Sequence, residues 1–213
     1  MEGRALADRL QEKAAGLGLI AGALLWVPTT QFEYSSKGML FWAGVLGLVV
    51  YIVLVPGLLG IARLFRQPSP RLSVVAGLLA TTGCVGAASF QTALLHEWAA
   101  RTAGTPEAMM AAIMEVTEGR VFPILVIFGI QIPIVFLALS IGLFRTHTAP
   151  AWVAALLGIG AVLWPIGHIG RILLVSHIAE TLVGVSLIWL GLRFLRGAPA
   201  QDGAAPASKG AQA

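Results

Sequence analysis

Three ionisable side chains near the end of the chain, His168, His177 and Glu180, are the residues best suited to chemistry. Two imidazoles and a carboxylate form a recognised ligand set for Zn²⁺ or non-haem Fe²⁺, with positions left open for water or substrate. His177 and Glu180 are three residues apart, so they would share one face of a helix. His96, or Glu97 beside it, would add a ligand or a supporting partner. These residues predict a divalent metal site that binds or senses the ion, or activates water for hydrolysis.

The segment around Glu180 belongs to a chain with the composition of a membrane protein. Of its 213 residues, 57% are hydrophobic and only 11% are charged, which excludes a soluble globular domain. A charge at the bilayer centre costs at least about 2.5 kcal/mol, so long intervals between charges mark membrane spans. Five uncharged intervals contain 19 to 25 residues, and a sixth contains 21 residues interrupted only by Glu180. Each is long enough for a helix that crosses a hydrocarbon core of about 30 Å.

These intervals predict an all-α fold, a polytopic bundle of six transmembrane helices within residues 1–196. The predicted spans are about 14–30, 39–62, 72–96, 121–144, 150–169 and 172–192. Thr105-Pro106-Glu107 is typical of a helix start and predicts an amphipathic helix over about 106–118 on the outer surface. Residues 197–213 are rich in Ala, Gly, Pro and Ser and are predicted to be a disordered cytoplasmic tail.

The distribution of basic residues predicts the orientation of the bundle. With the N-terminus inside, ten Lys and Arg residues lie on the cytoplasmic side and four lie outside. The positive-inside rule then places both termini in the cytoplasm. The predicted location of the protein is the inner (plasma) membrane of the cell. The first span is short enough to resemble a secretory signal, but the acidic residues before it and the Pro28-Thr29-Thr30 sequence after it favour a retained helix.

Interfacial anchors and the last helical hairpin fit this topology. The tryptophans predicted near the outer boundary are Trp26, Trp42, Trp98 and Trp164, and those near the inner boundary are Trp152 and Trp189.

Gly167, Gly170 and Arg171 predict a tight turn near position 172, which brings His168 and His177 to a similar depth. Glu180 would lie about 12 Å below that turn. A carboxylate there must be protonated, paired, hydrated or bound to a metal, and pairing with Arg171 or a protonated His177 is the alternative to a metal.

Other cofactors have less support in the sequence. Haem b would need two imidazoles on opposite sides of the iron, which a tight hairpin carrying His168 and His177 does not favour. Met109, Met110 and Met114 on the outer surface helix allow a copper-binding interpretation, because thioethers prefer Cu(I). Packing or membrane contact is the more ordinary role of such methionines.

Prolines within the spans allow a transport hypothesis from a different functional class. Pro56, Pro133 and Pro165 each remove a backbone donor, and Gln131 lies beside one of these breaks. A proton-coupled small-molecule carrier would use Glu180 as the titrating group, with Gln131 along the path. A third hypothesis is a non-catalytic subunit of a membrane complex, in which the polar groups serve only packing.

The remaining motifs mainly exclude functions. The basic residues are scattered, which argues against nucleic acid as a partner, and the single Cys excludes an intramolecular disulfide. The predicted partners are the lipid bilayer and a second copy or a membrane-complex subunit.

Two short segments, Ala15-Gly16-Leu17 in the leader and Pro150-Ala151-Trp152-Val153 at a later helix start, resemble small bacterial six-helix integral membrane families of unknown function. That resemblance implies the fold and no activity or site residue.

Overall fold

The computed structural model describes residues 2–35, 39–117, 119 and 122–197, without the side chains of residues 2–5, 122 and 124–126. The described chain folds into helices α1 (Glu2–Glu33), α2 (Leu40–Leu64), α3 (Pro70–Thr102), α4 (Glu107–Val116), α5 (Phe122–Gly129), α6 (Gln131–Thr146), α7 (Ala151–Ile169) and α8 (Leu173–Leu195). Six segments of this part are long and apolar enough to span a membrane. The all-α fold with six spans is therefore confirmed, whereas nearly all of the predicted tail lies outside the described residues.

Several helices extend beyond the predicted spans. Helix α1 begins well before Lys13 and continues through Pro28 to Glu33, although the predicted span was 14–30. Proline removes only one backbone hydrogen bond here, and the Thr29 hydroxyl donates to the Leu25 carbonyl at 2.7 Å. Helix α3 likewise continues past residue 96, and Arg101 pairs with Glu97 at 2.7 Å on its last turns. Uncharged runs measure the part of a helix in the hydrocarbon, and charged residues extend the helix into water.

The fourth predicted span, 121–144, is interrupted. Helix α5 ends at Gly129, Ile130 adopts a turn, and α6 begins at Gln131. Pro133 has no backbone N–H and lies in the first turn of α6, a position that proline tolerates well. The break therefore precedes the proline, and the apolar segment Ile127–Thr146 remains long enough to span a membrane.

The spanning helices form a closed ring. Helix α1 packs on α2, α2 on α3, α3 on α5 and α6, α6 on α7, α7 on α8, and α8 returns to α1. Helices α1 and α8 run antiparallel, because Gly16 lies beside Gly191 whereas Thr30 contacts Glu180. A Cβ on Gly16 would lie 2.7 Å from the Gly191 carbonyl oxygen, so the two backbones meet where both helices lack a side chain.

Aromatic and aliphatic side chains fill the interior of the ring. Trp26 is only 3% exposed and packs against Tyr51 and Phe136, with ring centroids 6.0 Å and 5.5 Å away. The prediction that Trp26 anchors the outer interface is therefore wrong. Helix α1 continues about two turns past this residue, which places Trp26 inside the bundle rather than at its boundary.

Candidate functional site

The predicted site lies where α1 ends and the α7–α8 hairpin turns, and we call this end of the bundle the Glu33 end. Helix α7 ends at Ile169 and α8 begins at Leu173, so the connection is as tight as predicted. Arg171 adopts a left-handed conformation with φ of 51°, and the Ile172 amide donates to the Gly167 carbonyl at 2.8 Å. This turn fixes the position of α7, which carries His168, relative to α8, which carries His177 and Glu180.

The three predicted residues converge. Glu180 is 1% exposed and lies seven residues into α8, or about 10 Å along its axis. The Nε2 atom of His168 is 3.3 Å from Oε1 of Glu180, and the Nδ1 atom of His177 is 3.8 Å from Oε2. A buried carboxylate therefore has an imidazole on each of its two oxygens.

The outer nitrogen of each imidazole has its own acceptor. Nδ1 of His168 lies 3.1 Å from the Trp164 carbonyl oxygen, which can only accept, so this nitrogen carries the proton. Nε2 of His177 lies 3.1 Å from Oε1 of Gln31 and donates to it. In neutral imidazoles these bonds leave lone pairs on Nε2 of His168 and Nδ1 of His177, the two nitrogens that face Glu180.

The inner atoms of this cluster are incompletely bonded. In the described part of the protein, Nδ1 of His177 and Oε2 of Glu180 are both buried and have no hydrogen-bond partner. Their separation of 3.8 Å is too long for a direct bond, and the 3.3 Å between His168 and Glu180 exceeds the usual 2.7–2.9 Å of a charge-assisted bond. The indole N–H of Trp164 is a third buried polar group without a partner there.

Helix α1 supplies the rest of the site. The Thr30 hydroxyl donates to Oε1 of Glu180, and one turn later the Tyr34 hydroxyl donates to the Gly167 carbonyl at 3.2 Å. Glu33 is partly buried within electrostatic range of His168, Glu180 and Arg171. Thr30, Gln31 and Glu33 thus lie in the last turn of α1, and Tyr34 follows it directly.

Sequence reasoning missed this contribution because it ended the first span at residue 30. The signal that would have found it is a run of polar residues, Thr29-Thr30-Gln31 followed by Glu33-Tyr34, at the membrane boundary shared with His168. Residues 30 and 34 are also one helical turn apart and so lie on the same face.

Trp164 fixes the orientation of one imidazole. Its indole ring stacks on the ring of His168, with centroids 4.1 Å apart and planes inclined by 17°. Tyr34 meets the same imidazole edge-on at 6.4 Å. The His168 ring is thus held between two aromatic side chains.

The structure does not bring the other predicted residues to the cluster. His96 is exposed on α3, a helix that packs against α2, α5 and α6. On α4, Met109 is 57% exposed whereas Met110 is buried, so these neighbours do not present their thioethers on one side. Gln131 accepts a hydrogen bond from Thr82 at the contact between α3 and α6.

The position of Gln131 leads to a first prediction. Replacing it by Leu removes one interhelical hydrogen bond and should lower the free energy of unfolding by about 0.6 kcal/mol, the typical value within a membrane. Thr82→Val should give a similar loss, and the double variant should add little to either. Unfolding in mixed micelles measures all three. A loss of several kcal/mol for Gln131→Leu alone would mean that Gln131 has other partners.

The fold and this cluster define a class, the multi-pass helical membrane proteins with a buried acid–imidazole cluster at one end. Within the part of the chain that the structure describes, no three His, Cys, Asp or Glu side chains are already arranged to hold a metal ion. No protein-family model, curated protein or solved structure matches the chain.

Proposed function

We propose that the protein binds a divalent transition-metal ion such as Zn²⁺ or Fe²⁺ through His168, His177 and Glu180. The observation that carries this proposal is the pair of outer hydrogen bonds on the two imidazoles. Metal-bound histidines usually donate their other ring nitrogen to a carbonyl or carboxylate, which directs the remaining lone pair at the metal. Two lone pairs aimed at a carboxylate repel it unless a cation lies between them.

The spacings also fit a bound metal ion. Two ligands at about 2.1 Å from a tetrahedral ion are about 3.4 Å apart, close to the 3.3 Å and 3.8 Å observed. A water that bridged His177 and Glu180 would need about 4.5 Å between them, and a direct bond about 2.8 Å. Because the three side chains are not yet directed at one point, binding would include a small rotation of these side chains.

Binding or sensing is the activity that this environment supports best. Glu180 is 1% exposed and closely surrounded, so an ion can be accommodated more readily than a bulky substrate. Two imidazoles and a carboxylate would leave a coordination position for water, and hydrolysis would require a substrate to reach it. Thr30 and Gln31 would act as the supporting partners that orient Glu180 and His177.

The charge distribution supports an outward-facing site. Eight basic residues lie at the bundle end opposite the Glu33 end: Arg9, Lys13, Arg63, Arg66, Arg71, Arg145, Arg193 and Arg196. The positive-inside rule makes that end cytoplasmic, so the cluster would open to the outside and both termini would be cytoplasmic in the inner membrane.

Metal analysis tests the proposal with a matched control. We expect the purified wild-type protein to bind about one equivalent of Zn²⁺ in a calorimetric titration. His177→Ala should weaken the affinity at least about 100-fold, because it removes one of three ligands. His96→Ala removes an exposed histidine at the same bundle end and should leave the affinity unchanged. The metal site would be rejected if the wild-type protein bound no Zn²⁺, or if His177→Ala bound Zn²⁺ with the wild-type affinity.

A proton at the same cluster is the second candidate, favoured by the ion-pair distance between His168 and Glu180. A protonated His168 would satisfy Glu180 without a metal. The carrier hypothesis built on Gln131 has less support, because Gln131 lies on the α3–α6 contact and Trp26, Tyr51 and Phe136 fill the interior. Proton flux into vesicles that is lost in Glu180→Gln, together with an absence of metal, would favour this candidate.

A further inference from the structure

The outer face of α1 carries a heptad repeat that the fold leaves uncovered. Alanine recurs every seven residues at Ala7, Ala14 and Ala21, and leucine recurs at Leu10, Leu17 and Leu24. These are the a and d positions of a coiled coil, with alanine at every a and leucine at every d. The three leucines are 59% to 61% exposed, while the remaining faces of α1 pack on α2 and α8.

A groove beside this stripe has the form of a coiled-coil hole. It has a volume of about 370 Å³ and is lined on α1 by Ala14, Leu17, Gly18 and Ala21. These positions are i, i+3, i+4 and i+7, the four residues that receive one knob from a facing helix. Three of the four are Ala or Gly, and Pro56 of α2 helps to form the far wall, so the hole has room for a leucine side chain.

We propose that two copies of this chain associate through α1 as a parallel helix pair. Two copies with the same orientation in one membrane, related by a twofold axis along the membrane normal, must present their α1 helices in parallel. In a parallel pair, a d residue enters the hole formed by the a, d, e and next a residues of the other helix. Leu17 of one copy therefore meets the hole around Leu17 of the other, which is the groove that the structure leaves open.

The charges on α1 are compatible with this pairing. The e positions are Gln11, Gly18 and Leu25, and Lys13 is the only charged residue at a g position of the heptads from Leu6 to Leu25. In a parallel pair Lys13 lies across from Gly18 of the second copy, so no like charges meet. Asp8, Arg9 and Glu12 fall at b, c and f, outside the seam.

The seam also extends beyond the hydrocarbon, which argues against lipid as its only cover. Ala7 and Leu10 precede Lys13 on a stretch of α1 that carries charges of both signs and is exposed. Because burying those charges in hydrocarbon is costly, this stretch is expected at the membrane surface, where a second α1 helix would cover its leucines more favourably than the bilayer would. Within the bilayer, the small residues permit the close helix approach on which membrane packing depends.

Cysteine cross-linking in native membranes tests the pairing. In a Cys84→Ser background, Leu17→Cys should form a disulfide-linked dimer under mild oxidation at least about tenfold faster than Leu78→Cys. Leu78 is a matched control, because it is 63% exposed on α3. Leu10→Cys and Leu24→Cys should also cross-link, since they occupy the same heptad position in a symmetric parallel pair.

A second variant separates association from folding. Ala14→Phe fills the hole from an exposed position and should lower energy transfer between labelled copies in vesicles at least about tenfold, without changing the helix content. The pairing is wrong if Leu17→Cys cross-links no faster than Leu78→Cys, or if Ala14→Phe leaves energy transfer unchanged. In that case acyl chains fill the groove.

Discussion

His168→Ala is expected to lower the free energy of unfolding of the metal-free protein by about 3 kcal/mol. The reason is that, without metal, a proton on His168 would compensate the buried Glu180 carboxylate, and removing that partner leaves a buried charge without compensation. Glu180 is 1% exposed, and the His168 imidazole lies 3.3 Å from one of its oxygens. Unfolding in mixed micelles with a chelator present measures this loss without a contribution from bound metal.

A double-mutant cycle isolates the interaction between the two side chains. Glu180→Gln removes the charge and keeps the shape, so His168→Ala should cost at least about 1 kcal/mol less in that background than in the wild type. His96→Ala is the control, because it changes a histidine on α3 that does not reach the cluster. Strict additivity of His168→Ala and Glu180→Gln would show that the two side chains do not stabilise each other.

Gly167→Ala should be nearly as damaging, for a steric reason. A Cβ at this position would lie 2.5 Å from the backbone nitrogen of Ser176 and 2.6 Å from its Oγ. Backbone atoms cannot rotate away, so α7 and α8 would have to separate at a cost of about 3 kcal/mol, the upper part of the range for overpacking. Because His168 follows Gly167 directly, the shift should also weaken Zn²⁺ binding at least about tenfold if the proposed site exists.

Gly184→Ala provides the matched control on the same hairpin. The nearest heavy atom to a Cβ on Gly184 is 3.8 Å away, an ordinary contact distance, so its effect on stability should stay within about 0.5 kcal/mol. Comparing the two variants by micellar unfolding separates crowding from a general intolerance of alanine in these helices. Equal stability of both variants would mean that α7 and α8 are farther apart at Gly167 than the structure indicates.

The two proposals use different stretches of α1 and can be tested separately. Thr30 and Gln31 of α1 support the cluster, whereas Leu17 and Leu24 lie on the exposed stripe. Ala14→Phe should therefore abolish pairing and leave Zn²⁺ binding intact, while His177→Ala should do the reverse. Loss of both properties in either variant would indicate that α1 itself is displaced.

Composition and charge spacing were sufficient to predict that this protein has six helices long and apolar enough to span a membrane. A charge in hydrocarbon is costly wherever it lies in the fold, so the intervals between charges can be read without any knowledge of packing. The convergence of His168, His177 and Glu180 was predictable for a similar reason. It depends on a short turn, and residues at equal distances from a tight hairpin lie at similar depths whatever the other helices do.

Helix ends and side-chain directions were less accessible from the sequence. Trp26 was predicted at an interface and lies in the core. Of the three prolines predicted to interrupt spans, only Pro133 lies next to a break, because α2 and α7 continue through Pro56 and Pro165. In an all-apolar helix no periodic contrast distinguishes the face toward lipid from the face toward protein. The neighbouring helices then decide which face of such a helix contacts protein and which contacts lipid.

The contribution of α1 to the site depended on tertiary structure alone. Thr30 and Glu180 are 150 residues apart, and Gln31 and His177 are 146 apart. Both pairs meet only because α8 returns to pack against α1 and closes the ring. Local patterns carry no information about which helices become neighbours, since every span is apolar enough to pack against any other. The sequence by itself determined the membrane class and the hairpin cluster, and ring closure decided which residues complete it.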